Sequence, residues 1–270
     1  MKGRNWREYE LPKKRRVPPQ KRRGKRKGGL GKRLLLWVIL FVLGYGGFFL
    51  YYRYSKPYVI GLDAGHGGAD VGAVGVIEEV ALTEQTVENL KTLLEEDGRF
   101  RVVLSRKAGE GATIDERNHR FTRIQPDVML SVHANSAEAA SASGFECYPA
   151  IPSMENHENS MAFAQCLTEE MQAAGQTLRG ENGIRFGYYV TENGKTQKKL
   201  VDSSDTTPYS DDTFGVLKHL DGAAVLVEQC FVTNAADVEA FGTEEGCQKA
   251  AEAYYRAILR YLGLDAPENT

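Results

Sequence analysis

Two histidines and a glutamate stand at or near the ends of apolar runs that are typical of buried strands. His66 follows "VIGLDAG", His133 closes "MLSVH", and Glu228 lies inside "AVLVEQCF". An ionised carboxylate in an apolar strand costs several kcal/mol unless it is paired or bound to a metal. Because ligand sites of α/β sheets lie at the carboxyl ends of the strands, these side chains are expected to gather there. Imidazoles and carboxylates bind zinc and carry protons, so this set predicts metal-assisted hydrolysis.

Glycines surround the first histidine in the sequence "GHGGADVGAVG". Glycine lets the backbone pass close to an ion or substrate and leaves His66 free to point inward. A glycine-rich turn after a first strand also suits phosphate, but no Gly-Lys-Ser/Thr sequence or dinucleotide-binding spacing accompanies it. Glu78 and Glu79 follow near the start of a predicted helix. Helix neighbours point about 100° apart, so only one of these two can join the histidines.

The elements that position these residues alternate between strands and helices. Apolar runs predict the strands, and stripes at helical spacing predict the helices. This alternation predicts an α/β domain, a single domain with a mixed, largely parallel sheet flanked by helices. Residues 176–213 are polar and show no firm period, so a functional or mobile loop is expected there. The predicted strands cover 58–63, 100–106, 127–135, 144–150 and 223–234, and the predicted helices cover 81–97, 113–124, 155–175 and 243–262.

An uncharged run of 19 residues, 34–52, precedes this domain. As a helix it would be about 29 Å long, close to the thickness of a bilayer core. Residues 1–33 carry 15 Lys and Arg against two Asp and Glu, whereas the rest of the chain carries 19 against 34. The positive-inside rule therefore predicts a cytoplasmic tail, a transmembrane helix in the lipid bilayer through residues 34–53, and a domain outside. A cleaved signal peptide is the alternative, but no small-x-small cleavage site follows the run.

Composition also sets expectations for the tails and the cysteines. The basic tail is rich in Pro, Gly, Lys and Arg, which predicts disorder. The adjacent bilayer segment explains its charge through topology and anionic headgroups, so no nucleic-acid partner is expected. The four cysteines lack Cys-x-x-Cys spacing, which excludes a structural zinc knuckle. The predicted division is a tail at 1–33, an anchor at 34–53, a linker at 54–57, the folded domain at 58–262 and a C-terminal tail at 263–270.

Several motifs occur in a characteristic order, namely "GLDAGHGGADVGAVG", "VVLSR", "ERNHRF", "DVMLSVHAN", "SGFECY" and "AVLVEQCFVTN". In this order and near this spacing they resemble the zinc-dependent N-acetylmuramoyl-L-alanine amidases of the amidase 3 type, which are cell-wall hydrolases. The resemblance covers roughly residues 58–262. It implies one zinc ion per chain, Zn²⁺ held by His66, Glu79 and His133, with Glu228 as the catalytic acid and base.

The resemblance also bears on the paired glutamates and on two arginines. The spacing to "LKTLLEE" favours Glu79 over Glu78 as the second ligand, although Val80 stands where relatives often have Lys. Arg106 and Arg117 match arginines of the family, and we expect them to form salt bridges beneath the site rather than to contact substrate. The stretch 176–213 is longer than the family resemblance leads us to expect, with room for substrate-contacting or inhibitory elements.

The implied activity is hydrolysis of the amide bond between N-acetylmuramic acid and L-alanine in peptidoglycan. The enzyme would be a single-pass protein of the cell membrane with its catalytic domain outside; the sequence identifies no activator protein. Two alternatives stay open. One is a catalytically silent wall-binding or regulatory module, which would be expected to lack a ligand or Glu228. The other is a zinc peptidase that acts on the stem peptide.

Overall fold

The computed structural model describes residues 29–54 and 58–267. The chain divides into two compact units, one up to Tyr51 and the other from Tyr52 onward. The predicted tail at 1–28, the linker residues 55–57 and the last residues of the C-terminal tail lie outside the described residues. The two units are described separately.

Most of one long helix, α1 (Gly29–Tyr54), lies in the first unit. Its stretch Gly31–Phe49 is long and apolar enough to cross a membrane, and none of that stretch is buried within the protein. The helix α1 also includes residues 29–33, which precede the anchor predicted at 34–53. No acidic residue stands in its first turn.

A five-stranded mixed sheet forms the centre of the second unit. The described part of this unit contains seven strands, and all except β5 and β6 belong to this sheet: β1 (Tyr58–Ala64), β2 (Phe100–Leu104), β3 (Val128–Asn135), β4 (Glu146–Pro149), β5 (Arg185–Glu192), β6 (Lys195–Asp202) and β7 (Ala223–Phe231). In the sheet the order is β2-β1-β3-β7-β4, with β4 antiparallel to β7 and the other neighbours parallel. The predicted α/β architecture with a largely parallel sheet is confirmed.

Helices cover both faces of this sheet. They are α2 (Glu79–Asp97), α3 (Ile114–Thr122), α4 (His157–Ala173), α5 (Ala235–Phe241) and α6 (Glu244–Tyr261). The helix α2 ends where Gly98 adopts a left-handed conformation, φ 80°, which favours glycine. The predicted capping box begins α3, with Thr113 and Glu116 satisfying each other's backbone amides. The short α5 was not predicted; the Asn234 side chain caps its first amides.

The two faces of the sheet carry different side chains, because successive residues of a strand point to opposite sides. One face is an apolar core in which Leu130 of β3 and Val227 of β7 pack with residues of α2, α4 and α6. On the other face Met129 and Leu226 pack with Phe121 of α3. His133 and Glu228 share the parity of this second face, so the strands place both on one side of the sheet.

Residues 176–213 differ from the loop that the sequence predicted. They contain the hairpin β5–β6, whose strands pair from Arg185 and Asp202 to Glu192 and Lys195. The turn residues Asn193 and Gly194 both have positive φ, 50° and 74°, as a tight two-residue hairpin requires. Phe186 of the hairpin packs in a small third core. The segment is therefore ordered structure added beside β4.

Candidate metal centre

Three of the predicted residues lie together at the carboxyl edge of the sheet. Glu79 is the first residue of α2, and its carboxylate bridges two imidazoles. Its Oε2 is 3.1 Å from Nε2 of His66, and its Oε1 is 2.9 Å from Nδ1 of His133. One possible ligand atom from each residue lies within 4.8 Å of the others. Glu79 is buried whereas Glu78 is exposed, so the geometry favours Glu79 as the residue that faces the histidines.

The bridging carboxylate is held in place by backbone amides as well. Ala73 donates to its Oε2 at 2.9 Å, and Ala134 donates to its Oε1 at 3.0 Å. Burial disfavours the charge of Glu79, but the hydrogen bonds from His133 and His66 hold its pKa well below the usual range. The bond to Glu79 in turn raises the pKa of His66 to about 9. These contacts to Glu79 hold the three side chains together.

Asp70 contacts the other nitrogen of His66, a role that the sequence analysis did not assign. Its Oδ2 lies 2.9 Å from Nδ1 of His66, and its Oδ1 accepts a hydrogen bond from the amide of Gly72 at 3.0 Å. Metal-binding histidines commonly donate their second nitrogen to a carboxylate, which fixes the ring orientation. The sequence signal that could have predicted this contact is the aspartate four residues after His66 in "HGGAD".

Arg106 and Arg117 lie beneath the turn that carries His66. Arg106 donates to the carbonyl oxygens of Ala64 at 2.9 Å and Gly65 at 3.0 Å, and it pairs with a glutamate of α2. Arg117 donates to the carbonyl oxygens of Ala64 at 2.7 Å and of His66. The His66 backbone itself has φ 59°, an uncommon value for a residue with a side chain. Both arginines therefore hold an unusual turn in place.

The carboxylate of Asp63 supports the same turn from within the sheet. It accepts a hydrogen bond from Nη1 of Arg117 at 2.6 Å and another from Oγ of Ser131 at 2.6 Å. Burial disfavours its charge, yet the guanidinium of Arg117 keeps the pKa of Asp63 below the usual range. This buried pair links β1, β3 and α3 directly under the candidate metal centre.

Glu228 lies directly opposite His133 in the pairing of β7 with β3. The residue is partly exposed, but its Oε2 atom is buried and has no hydrogen-bond partner among the described residues. Burial raises the pKa of Glu228 to about 7; His133 lowers it and Glu79 raises it by smaller amounts. A carboxyl group with such a pKa can both accept and release a proton near neutral pH.

A second buried carboxylate, Glu146, stands on the other side of Glu228 in the register of β4 and β7. It accepts hydrogen bonds from the amide of Asn135 at 2.5 Å and the hydroxyl of Tyr148 at 2.9 Å. Two arginines, at 179 and 185, also donate to it at 3.2 Å. The sequence analysis did not single out Glu146. The signal was present, because "GFECYP" places a glutamate in an apolar strand, as "AVLVEQCF" does for Glu228.

The glycines near His66 make space for the three candidate ligands. At Gly72, φ is 68°, and a Cβ would lie 2.6 Å from Oε2 of Glu79 and 2.6 Å from Cδ2 of His66. We therefore expect Gly72→Ala to reduce metal content strongly, by displacing both ligand side chains. Gly109→Ala is the matched control, because φ is 75° there and no atom lies within 4 Å of the added Cβ. Metal content per folded chain measures the difference, and equal losses in the two variants would contradict it.

The α/β domain has the fold of amidase catalytic domains. It superposes on the catalytic domain of CwlV, an N-acetylmuramoyl-L-alanine amidase from Bacillus (Paenibacillus) polymyxa var. colistinus, with a TM-score of 0.60 and 25% sequence identity. That match covers 77% of this chain and 99% of the CwlV domain. The chain belongs to the N-acetylmuramoyl-L-alanine amidase family, whose Amidase_3 family model matches residues 60–260. The chain is therefore a member of a family of peptidoglycan amidases.

Two curated relatives show how far the similarity extends. The uncharacterized protein YqiI of Bacillus subtilis (strain 168) is 32% identical over 205 residues, which is 74% of this chain and 82% of YqiI. The probable N-acetylmuramoyl-L-alanine amidase AmiB of Haemophilus influenzae is 26% identical over 241 residues. That match spans 79% of this chain but only 56% of AmiB, so about half of the relative corresponds to this sequence.

Proposed function

We propose that this protein is a zinc-dependent, membrane-anchored N-acetylmuramoyl-L-alanine amidase that cleaves the bond between N-acetylmuramic acid and L-alanine in peptidoglycan. The observation that carries the proposal is the cluster of His66, Glu79 and His133, with Glu228 directly opposite His133. Membership of the amidase family supports the choice of bond. The proposed catalytic domain spans 58–262, with the other boundaries as the sequence analysis gave them.

The donor set fits a zinc ion in number, type and spacing. Two imidazoles and one carboxylate with an open fourth position are typical of catalytic zinc sites. One possible ligand atom from each of His66, Glu79 and His133 lies within 4.8 Å of the others, so a single ion could contact all three residues. Binding requires neutral imidazoles, so His66, with its raised pKa, would release its proton as the ion enters.

Each residue of the proposed site has a separate task. A zinc ion, when bound, supplies Lewis-acid polarisation of the scissile carbonyl and activation of a water molecule. Glu228, which is partly exposed and lies opposite His133, would accept the proton of the attacking water and then donate it to the departing amine of L-alanine. Asp70 orients the imidazole of His66, and Arg117 holds the backbone of the same residue.

Digestion of purified peptidoglycan by the full-length protein tests this function. We expect new amino termini that belong to L-alanine, in an amount that depends on added zinc and disappears with a chelator. New termini elsewhere in the stem peptide would identify a zinc peptidase instead. Binding to peptidoglycan with no new termini would identify a catalytically silent wall-binding module.

The proposed anchor is α1, with the amino terminus in the cytoplasm and the catalytic domain outside the cell membrane. The support is the exposed apolar stretch Gly31–Phe49 together with the basic residues before it. Protease added to intact protoplasts should remove the large domain and leave a short membrane-bound fragment. Complete protection of the domain would show that the domain lies on the cytoplasmic side of the membrane. Release of a soluble domain without protease would show that the helix is a cleaved signal.

A further inference from the structure

One face of the β5–β6 hairpin adjoins the carboxylates beside the candidate metal centre. Gly187 of β5 lies against the ring of Phe214 so closely that a Cβ there would overlap it. The ring centroid of Phe214 is 5.1 Å from that of Tyr148, and the Tyr148 hydroxyl donates to Glu146. Glu146 stands opposite Glu228 in the sheet. An unbroken series of contacts therefore leads from this hairpin face to the proposed acid and base.

Three cationic side chains lie on or beside this face. Arg185 and Tyr189 share it, because both are an even number of residues from Gly187. Lys198 pairs with Tyr189 across the hairpin, and its Nζ lies 4.8 Å from the centroid of the Phe214 ring. Its charge is near enough to lower the pKa of Glu228 slightly. Arg179 contributes a second guanidinium from the segment before the hairpin.

The cations exceed the carboxylates that neutralise them. Arg179 and Arg185 both donate to Oε2 of Glu146 at 3.2 Å, and Nε of Arg185 is 3.6 Å from Asp202. Lys198 has no carboxylate partner among the described residues. The two guanidiniums keep 31% and 21% of their side-chain surface exposed. Apart from Glu228, these three cations face two carboxylates, Glu146 and Asp202, so one positive charge is left over next to arginine donors that Glu146 already holds in position.

We propose that Lys198 and Arg185, with Arg179 beside them, bind a free carboxylate of an acidic peptide, the stem-peptide side of the substrate. This inference rests on the proposed amidase function. The lactyl carboxyl group of the sugar is consumed in the scissile amide, so a free carboxylate that meets these cations would belong to the peptide. Guanidinium and ammonium groups recognise carboxylates through charge-assisted hydrogen bonds. Glu146 orients the guanidiniums beforehand, which lowers the entropy lost on binding.

The opposite hairpin face supplies a matched control. Phe186 and Tyr188 on that face are buried together with Ile151. Lys199 lies opposite Tyr188, with its Nζ 3.4 Å from the centroid of the Tyr209 ring. It is an exposed lysine adjacent to Lys198 in sequence, and its removal changes the net charge equally. The variants Lys198→Ala and Lys199→Ala therefore separate recognition at the site from a general loss of positive charge.

Calorimetry with the zinc-loaded full-length protein in detergent tests the inference. The probes are L-alanyl-D-glutamate with its γ-carboxyl group blocked as an amide and its α-carboxylate free, and the same dipeptide with both carboxyl groups blocked as amides. We expect the acid to bind about tenfold more tightly than the amide, a preference of the size of one partly exposed charge-assisted bond. Lys198→Ala should remove most of this preference and Lys199→Ala should keep it. Equal affinities in the unchanged protein, or equal losses in both variants, would overturn the subsite.

The outcome is distinguishable from failure of the amidase function. Glu228→Gln should retain the preference for the acid, because binding of the peptide requires no proton transfer. If the unchanged protein prefers the acid but releases no L-alanine termini from peptidoglycan, the subsite stands and the proposed reaction is wrong. If hydrolysis proceeds with no preference between acid and amide, the reaction stands and the subsite is wrong.

Discussion

Replacement of Glu228 by glutamine is expected to lower the rate of peptidoglycan hydrolysis by about 10²–10⁴-fold, the usual contribution of general acid–base catalysis. Glutamine has nearly the same shape but cannot take the proton of the attacking water. The Oε2 atom of Glu228 has no hydrogen-bond partner among the described residues, so the substitution breaks no recorded bond there. Zinc content should stay at one ion per chain, and the midpoint of thermal unfolding should stay the same or rise.

Glu146→Gln is the matched control for this prediction. It alters the neighbouring buried carboxylate, which accepts four hydrogen bonds, two of them from arginines. Removing one charge from such a network leaves buried donors poorly satisfied, so the unfolding midpoint should fall. Near-normal hydrolysis per folded, zinc-loaded molecule of Glu228→Gln would exclude Glu228 as acid and base. A lower unfolding midpoint in Glu228→Gln would assign a structural role to Glu228 instead.

Substitution of either histidine is expected to abolish stoichiometric zinc binding and, with it, hydrolysis. Changing an outer hydrogen-bond partner of a metal site typically costs 10–100-fold in affinity or activity, so losing a ligand should cost more than about 100-fold. His66→Ala and His133→Ala each remove one donor of the three-residue cluster. Metal analysis of dialysed protein, together with an unfolding midpoint measured with and without added zinc, measures the loss.

The adjacent glutamates provide the control for metal binding. Glu79→Ala removes the carboxylate that bridges the histidines, whereas Glu78→Ala changes an exposed residue just before α2. We expect zinc loss in the first variant only. Because Glu79 also accepts two backbone amides, Glu79→Gln is the variant to use if alanine unfolds the chain. Zinc retained by Glu79→Ala and lost by Glu78→Ala would reverse the assignment of the second ligand.

The candidate site residues at the ends of the strands could be predicted from the sequence, because their positions depend on local apolar patterns and on the order of strands and helices. The apolar run that ends in His133, and the one that contains Glu228, predicted that both residues lie at the carboxyl edge of the sheet. Topology alone did not distinguish Glu78 from Glu79; the family resemblance did. In the structure only Glu79 points at the imidazoles, because α2 begins at that residue.

The contributions of distant segments could not be derived in the same way. Glu146 receives its partners from β3, β4, β5 and the segment before β5, and no sequence period joins those regions. The hairpin was missed although it carried a signal. Asn193-Gly194 is a strong two-residue turn sequence, and Phe186 and Tyr188 alternate before it. The exposed polar residues of β6 concealed the second strand, because they remove its apolar alternation.

The row of His133, Glu228 and Glu146 across three neighbouring strands restricts how this chain can change in length. A single residue inserted before Glu228 within β7 would turn its carboxylate into the apolar layer under α4 and α6, because every side chain beyond the insertion changes face. The segment between α4 and β7 has no such restriction, since additions there leave the three strands in register. An evolving or engineered version of this protein could therefore exchange the hairpin, and with it the proposed peptide subsite, while the three strands keep His133, Glu228 and Glu146 in register.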